Sequence, residues 1–391
     1  MSAPSNFTGN ALLQAASERC GLANFGDDNY RPALEKFVHS CRNDGYVSEA
    51  GFPLIGETLV GILVNRLQFE DDLIKHPEIL DEEIVSPLII IGAGRVGSTK
   101  MHRLLANATN IQSFPFWQLK NPGRFPDAEK GKPDPRIAPT AALCLQIESN
   151  LPQLFAAIEP VAQEPDEDVH VLDLTFMQFY FCALAYTPSY LDWILEQDWR
   201  EPYRYFKKIL QYLQWQNGAP GKPRNPMLLK GPFHTIYMDI VNDLLPRAKF
   251  VQLHRDPVTC AASLAKITHL LQQLNHGQAT LEHNGYLLEN YITHKLLENL
   301  RVRERRPDIP VADFYYEQVR DDAVGLAQNI FDFWKVPLSA QSRQLMDDWE
   351  IKNSQHKYGK FDYTVEETGI DRARMEANMG AYMQRFYPGK G

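Results

Sequence analysis

The sequence predicts an α/β domain of three layers, a mainly parallel central sheet flanked by helices, with a helical segment in front of it. Two observations carry this prediction. Short apolar runs near residues 88–91, 227–230, 248–253 and 310–315 alternate in strict turn with segments of helical spacing, the pattern of βαβ units. The first of them, Leu88-Ile89-Ile90-Ile91, is continuous and β-branched rather than alternating, as a strand buried on both faces must be.

In chain order, residues 1–86 form the helical preface, where Leu59, Ile62, Leu63, Arg66 and Leu67 recur at helical spacing before an acidic stretch and Pro87. The main domain is expected over 87–391. It opens with the buried strand, then Gly92-Ala93-Gly94, then a helix from Ser98 to Ala108. Residues 120–140 contain five prolines and read as an irregular surface connection. Residues 141–217 read as a helical insertion rich in aromatics, Phe155, Phe176, Phe179, Tyr180, Phe181, Tyr186, Tyr190 and Trp193 among them. After the loop NGAPGKPRNP come the strand at 227–230, helix 234–245, strand 248–253, helix 257–273, a long helix near 283–306, the strand at 310–315 and helix 320–334.

The formal charge of −9 argues against a general affinity for nucleic acid or anionic membrane, so an anionic ligand must be held by a local cluster of cations and amides. Five cysteines without CxxC spacing suit a reducing compartment and carry no zinc signature. The opening MSAPSNFTGN is not signal-like and no apolar run approaches membrane-spanning length, so a cytoplasmic protein without membrane insertion is expected.

The segment Gly92-Ala93-Gly94-Arg95-Val96-Gly97-Ser98-Thr99 joins the buried strand to a helix start. Its amides converge on an oxyanion at the positive end of the helix dipole, Ser98 and Thr99 add hydroxyls, and Arg95 adds a permanent charge. It is P-loop-like in spacing, but Ser98 stands where GxxxxGK[ST] has lysine, which argues against a nucleoside triphosphate and its Mg²⁺. A second constellation, Arg255-Asp256-Pro257 with Ser263, places an arginine at a strand end and a serine on the following helix, where both can grip one phosphate.

Together the two segments resemble the sulfotransferases that use 3′-phosphoadenosine 5′-phosphosulfate (PAPS), in the bacterial branch whose loop reads PRSGTT. LLKGPFH at 228–234 is similar to that branch's LKSPxH, Tyr316-Glu317 to its YED, and Gly359-Lys360 through Gly369-Ile370 to its C-terminal GKHRYSxxxFGL. The motifs run in the family's order from Pro87 onward. The resemblance implies PAPS as donor and its product PAP, without a metal. Arg95, Val96, Gly97, Ser98 and Thr99 would hold the phosphosulfate, Arg255 and Ser263 the 3′-phosphate, and Tyr316 and Lys360 the rest of the nucleotide. The loop departs from the family pattern at Gly94, Val96 and Ser98, and Val96 lacks the hydroxyl of the serine it replaces.

Transfer of a sulfuryl group to a hydroxyl needs in-line positioning, a cation for the developing charge and a base for the acceptor's proton. Lys230, at a strand end, is the candidate cation; Glu159 and His234 are the candidate bases. Gln118, in Trp117-Gln118-Leu119 where the family has a WEL-like glutamate, cannot serve. The acidic run Glu164, Asp166, Glu167, Asp168 with His170 reads as a solvated turn rather than a metal site. The aromatic insertion points to a small lipophilic alcohol or phenol as acceptor. A non-catalytic PAP-binding homologue and a P-loop nucleotide kinase or hydrolase are the alternative readings.

Overall fold

The computed structural model describes residues 4–125, 131–218, 223–353 and 361–388. Strands β1 (Leu88–Gly92), β2 (Leu228–Lys230), β3 (Lys249–His254) and β4 (Val311–Tyr315) lie in the order β2-β1-β3-β4, every pair parallel. All five residues of β1 are buried, which is why the run carries no polar alternation. Leaving β1, the chain first builds β2 on one side and then crosses back to build β3 on the other. That reversal opens a crevice beyond the carboxyl ends of β1 and β3. The Thr235 hydroxyl latches the end of β1, accepting from the Gly92 amide at 2.9 Å and donating to the Gly92 carbonyl at 3.0 Å.

Three helices make the preface: α1 (Gly9–Cys20), α2 (Arg31–Asn43) and α3 (Gly51–Lys75). Ile55, Leu59, Ile62, Leu63 and Leu67 of α3 are buried on one stripe. Arg66, within that stripe, is 1% exposed, its guanidinium donating to the carbonyls of Phe25 and Leu174 between the rings of Tyr30 and Tyr205. Phe37 of α2 packs on Phe181 and Tyr190, so the apolar core runs without a break from the preface into the rest of the chain.

The remaining helices that frame the site are α4 (Ser98–Leu105), α5 (Arg200–Asn217), α6 (Pro257–Leu274), α7 (Leu281–Arg305) and α8 (Tyr316–Asp321). The stretch 141–217 is more broken than its composition suggested: helices Ile137–Asn150, Pro152–Ile158, Phe181–Leu184 and Pro188–Leu195 and a 3₁₀ segment Asp168–Thr175 precede α5. Prolines and the left-handed residues Glu159 (φ 43°) and Phe176 (φ 56°) end these pieces. The helix expected at 320–334 is divided at Asp322, whose carboxylate caps a new helix Ala323–Trp334 by accepting from the Gly325 amide at 2.8 Å. The one expected at 234–245 starts as a 3₁₀ turn, Pro232–Thr235, before Met238–Leu244. No helix among the described residues is long and apolar enough to cross a membrane.

Candidate active site

Beyond β1 the backbone curls through Gly94 (φ 93°), Arg95 (φ 60°) and Gly97 (φ 84°) before α4 begins at Ser98. Gly97 is required twice over: its φ is left-handed, and a Cβ there would lie 2.9 Å from Val319 and 3.3 Å from the Tyr316 ring. This close approach of loop to α8 puts the first amides of α4 beside Tyr316. Arg95 is the non-glycine residue in that left-handed curl, a conformation the surroundings must hold in place. Its Nε donates to Ser263 Oγ on α6 at 3.2 Å, while Arg255 Nη1 donates to the Arg95 carbonyl at 2.8 Å. The Arg255 guanidinium lies 4.2 Å from the centre of the Tyr316 ring. Residues separated by more than two hundred positions in the chain are thereby joined through four side chains and one carbonyl.

Arg95, Gly97, Ser98, Thr99, Arg255, Ser263 and Tyr316 all line one cleft of about 1020 Å³. That is at the upper end of ordinary ligand sites and large enough for a nucleotide with a second molecule. Enclosure, with Arg255 adding to it, makes the Arg95 guanidinium a costlier charge than usual. Two adjacent guanidiniums at the foot of a cleft favour an anion there.

Val96 is placed differently. Its side chain is 1% exposed and packed in the core, and the residue lies outside the cleft lining. A serine hydroxyl at this position would point into the core, which corrects the expectation that valine costs the site a donor. Lys360 lies outside the described residues. Lys100, directly after the loop, pairs with Glu350 at 2.6 Å.

Residues 87–340 match the model of the sulfotransferase family. The chain belongs to that family. No curated protein matches it. Among solved structures it is similar to the sulfotransferase STF9 of Mycobacterium avium, at a TM-score of 0.85 and 25% identity over 97% of each chain. It is also similar in fold to the sulfotransferase STF1 of Mycobacterium tuberculosis H37Rv, at a TM-score of 0.80 and 24% identity over 96% of this chain and 98% of the other. The parallel sheet flanked by helices is thus the fold of a sulfotransferase, and the enzyme class is a transferase.

Behind the loop this sulfotransferase carries an inner polar layer. Lys230, at the end of β2, is fully buried; its Nζ donates to Thr99 Oγ1 at 3.3 Å and meets Glu167 Oε1 at 3.0 Å and Asp166 Oδ1 at 3.6 Å. A lysine so far from water needs carboxylates, and the run 164–168 supplies them. That run is therefore no solvated turn: Asp168 is 2% exposed, and Asp166 and Glu167 line the cleft while pairing inward. Glu167 Oε2 is buried with no hydrogen-bond partner among the described residues. Sequence reasoning passed over Glu167; the signal available was three successive acids upstream of a buried strand-end lysine.

His234 does not reach the cleft. It is fully buried, Nδ1 sharing a hydrogen bond with Tyr203 Oη at 2.9 Å and Nε2 with Asp168 Oδ1 at 2.5 Å. Asp168 Oδ2 in turn accepts from the Lys230 amide at 2.6 Å. With both ring nitrogens engaged, His234 is a clip that holds the end of β2, not a base for a bound acceptor. Glu159 does line the cleft, half-buried, with its carbonyl accepting from Arg103 Nη2 at 3.0 Å. Gln118 is tied into an amide pair with Asn217.

The cleft's far wall is apolar. Phe116, Phe179 and Tyr180 contribute to it, together with aliphatic side chains such as Leu143, Ile147 and Ile267. Phe176 and Tyr190 of the aromatic insertion are instead wholly in the core. The aliphatic part of the wall, unlike the rings, was not evident from composition.

His102 of α4 is 1% exposed, with both ring nitrogens unpartnered among the described residues. Burial, followed by the Lys230 charge, pushes it down to about 3. Between pH 6.5 and about 3 the unfolded chain binds a proton here that the native chain refuses, so the native state loses stability on acidification across that window. The slope is about 1.4 kcal/mol per pH unit for one such group. We expect His102→Met to reduce the fall in stability between pH 6 and 4.5 by about that slope, measured by urea unfolding. An unchanged slope would show that His102 does not refuse the proton.

Proposed function

We propose that this enzyme moves the sulfuryl group of PAPS to a hydroxyl of a small lipophilic alcohol or phenol. The observation that supports this most is the joining of Arg95 to Ser263 and of Arg255 to the Arg95 carbonyl on one wall of a single cleft. Two cation sites so linked suit a ligand with phosphate at both ends. When bound, PAPS supplies the sulfuryl group and PAP remains. The amides of Gly97 to Thr99, the Ser98 and Thr99 hydroxyls and Arg95 take the phosphosulfate end. Arg255 and Ser263 take the 3′-phosphate, and the Tyr316 ring takes the adenine.

Lys230 acts from the inner layer: through its hydrogen bond to Thr99 Oγ1 it biases that hydroxyl toward the oxygen on which charge develops. Glu167, which lines the cleft, is the base rather than His234: its Oε2, without a hydrogen-bond partner among the described residues, accepts the acceptor's proton while Oε1 stays on Lys230. Glu159 remains a second carboxylate on the cleft wall for comparison. The apolar wall takes the body of the acceptor.

The test is PAP release from PAPS with a panel of phenols, primary alcohols of increasing chain length and charged sugars. The reading requires turnover with the lipophilic members and little with the sugars. PAP binding without turnover of any acceptor would favour a non-catalytic PAP-binding protein. A thermal shift with ATP and Mg²⁺ but none with PAP would favour a nucleotide kinase or hydrolase.

A further inference from the structure

Lys295, on α7, is 2% exposed and lines the same cleft. Its one hydrogen bond among the described residues goes to a backbone carbonyl of the loop after β1, Ala93 O, at 3.3 Å. Its Nζ lies 4.4 Å from the centre of the Tyr291 ring, which is itself stacked on Phe179 at 4.0 Å. No carboxylate among the described residues comes within 4 Å of this ammonium. Buried charges are ordinarily paired, and one carbonyl with one ring face is a thin solvation shell for an ammonium. What would complete it is an anion in the cleft.

We propose that Lys295 is a further binding residue for the anionic donor, its ammonium reaching the phosphosulfate from beneath the loop through which Arg95 acts. The inference rests on the donor reading above and adds a cation to it that no motif pointed to. Its electrostatic setting makes the charge conditional. Burial pushes Lys295 down to about 7, with Glu167 and Cys260 opposing that shift. Cys260, on α6, is itself pushed up to about 12 by burial and is therefore an uncharged thiol at neutral pH. Glu167, from the segment before the 3₁₀ helix, is engaged with Lys230. On α7 itself, burial pushes the Tyr291 hydroxyl well above its usual range, so it stays protonated. Arg95, two residues along the loop from Ala93, adds positive charge only. Burial thus holds Lys295 part neutral near pH 7, and an arriving phosphate or sulfuryl oxygen draws a proton onto it.

The experiment is calorimetry of PAP binding in buffers of different ionisation enthalpy, from pH 6 to 8, on the wild-type protein, Lys295→Met and Lys295→Arg. Wild type is expected to take up about half a proton at pH 7, more at pH 8 and little at pH 6. Lys295→Met should lose this uptake and about tenfold in affinity at pH 7, and Lys295→Arg should keep the affinity without the uptake. A purely packing role for the lysine would not move the proton count or be rescued by arginine. Equal proton uptake in wild type and Lys295→Met, or equal PAP affinity, overturns the inference while leaving the donor assignment standing. No PAP binding to the wild-type protein overturns the donor assignment, and this inference falls with it.

Discussion

Arg95→Ala is expected to weaken PAP binding by about a hundredfold or more, read by calorimetry at moderate ionic strength. A charge-assisted hydrogen bond is worth about 1.5–3 kcal/mol, and every 1.4 kcal/mol is a tenfold change in affinity. Arg95 also orients Ser263, so its removal leaves that hydroxyl unheld. Arg255→Ala should cost a similar factor, because its guanidinium fixes the Arg95 carbonyl as well as offering its own charge. Residues joined in this way do not act independently. The double variant should therefore lose less than the product of the two single losses, whereas exact additivity would mean the hydrogen bond between them carries no coupling. Arg95→Lys should recover only part of the affinity, since a point charge cannot bond the anion and Ser263 with one planar fork. Unchanged PAP affinity in both alanine variants would remove the nucleotide assignment.

Glu167→Gln should lower kcat by about 10²- to 10⁴-fold, the range for a lost general base, with PAP affinity within about threefold of wild type. The amide keeps the size of the side chain and an oxygen for Lys230, but it cannot accept the acceptor's proton. Glu159→Gln is the comparison: the residue lines the cleft and has no link to Lys230 or Thr99 among the described residues, and near-normal turnover is expected. The reverse result, full rate in Glu167→Gln and collapse in Glu159→Gln, would transfer the role to Glu159. His234→Phe should act differently from either. It would break the clip between Tyr203 and Asp168, so its principal cost should appear in thermal stability.

The parts of this molecule that were legible before folding are those set by short stretches of chain. Leu88 to Ile91 announces a strand buried on both faces because it has no polar residue to turn outward. The glycines after it announce a tight turn, and Gly97 does hold a left-handed backbone against Tyr316. Arg255 at a strand end and Ser263 two turns into the next helix are placed by regular geometry alone, and a parallel sheet then brings strand ends to one edge.

The direction of Val96, the burial of Lys230 and the choice among carboxylates were decided only by tertiary packing. Val96 turns inward because the loop's curl sends its side chain to the core, which spacing cannot reveal. From the sequence, Glu159 and His234 are the candidate bases, and Glu167 is one member of an acidic run. The fold seals His234 between Tyr203 and Asp168 and leaves Glu167, beside a buried lysine, with an oxygen that has no hydrogen-bond partner among the described residues. Burial and pairing depend on which distant segments meet, here residues 164–168 against the end of β2. Local sequence specifies backbone shape, but the free energy of a charge depends on everything within several ångströms of it, and that neighbourhood exists only once the chain has folded.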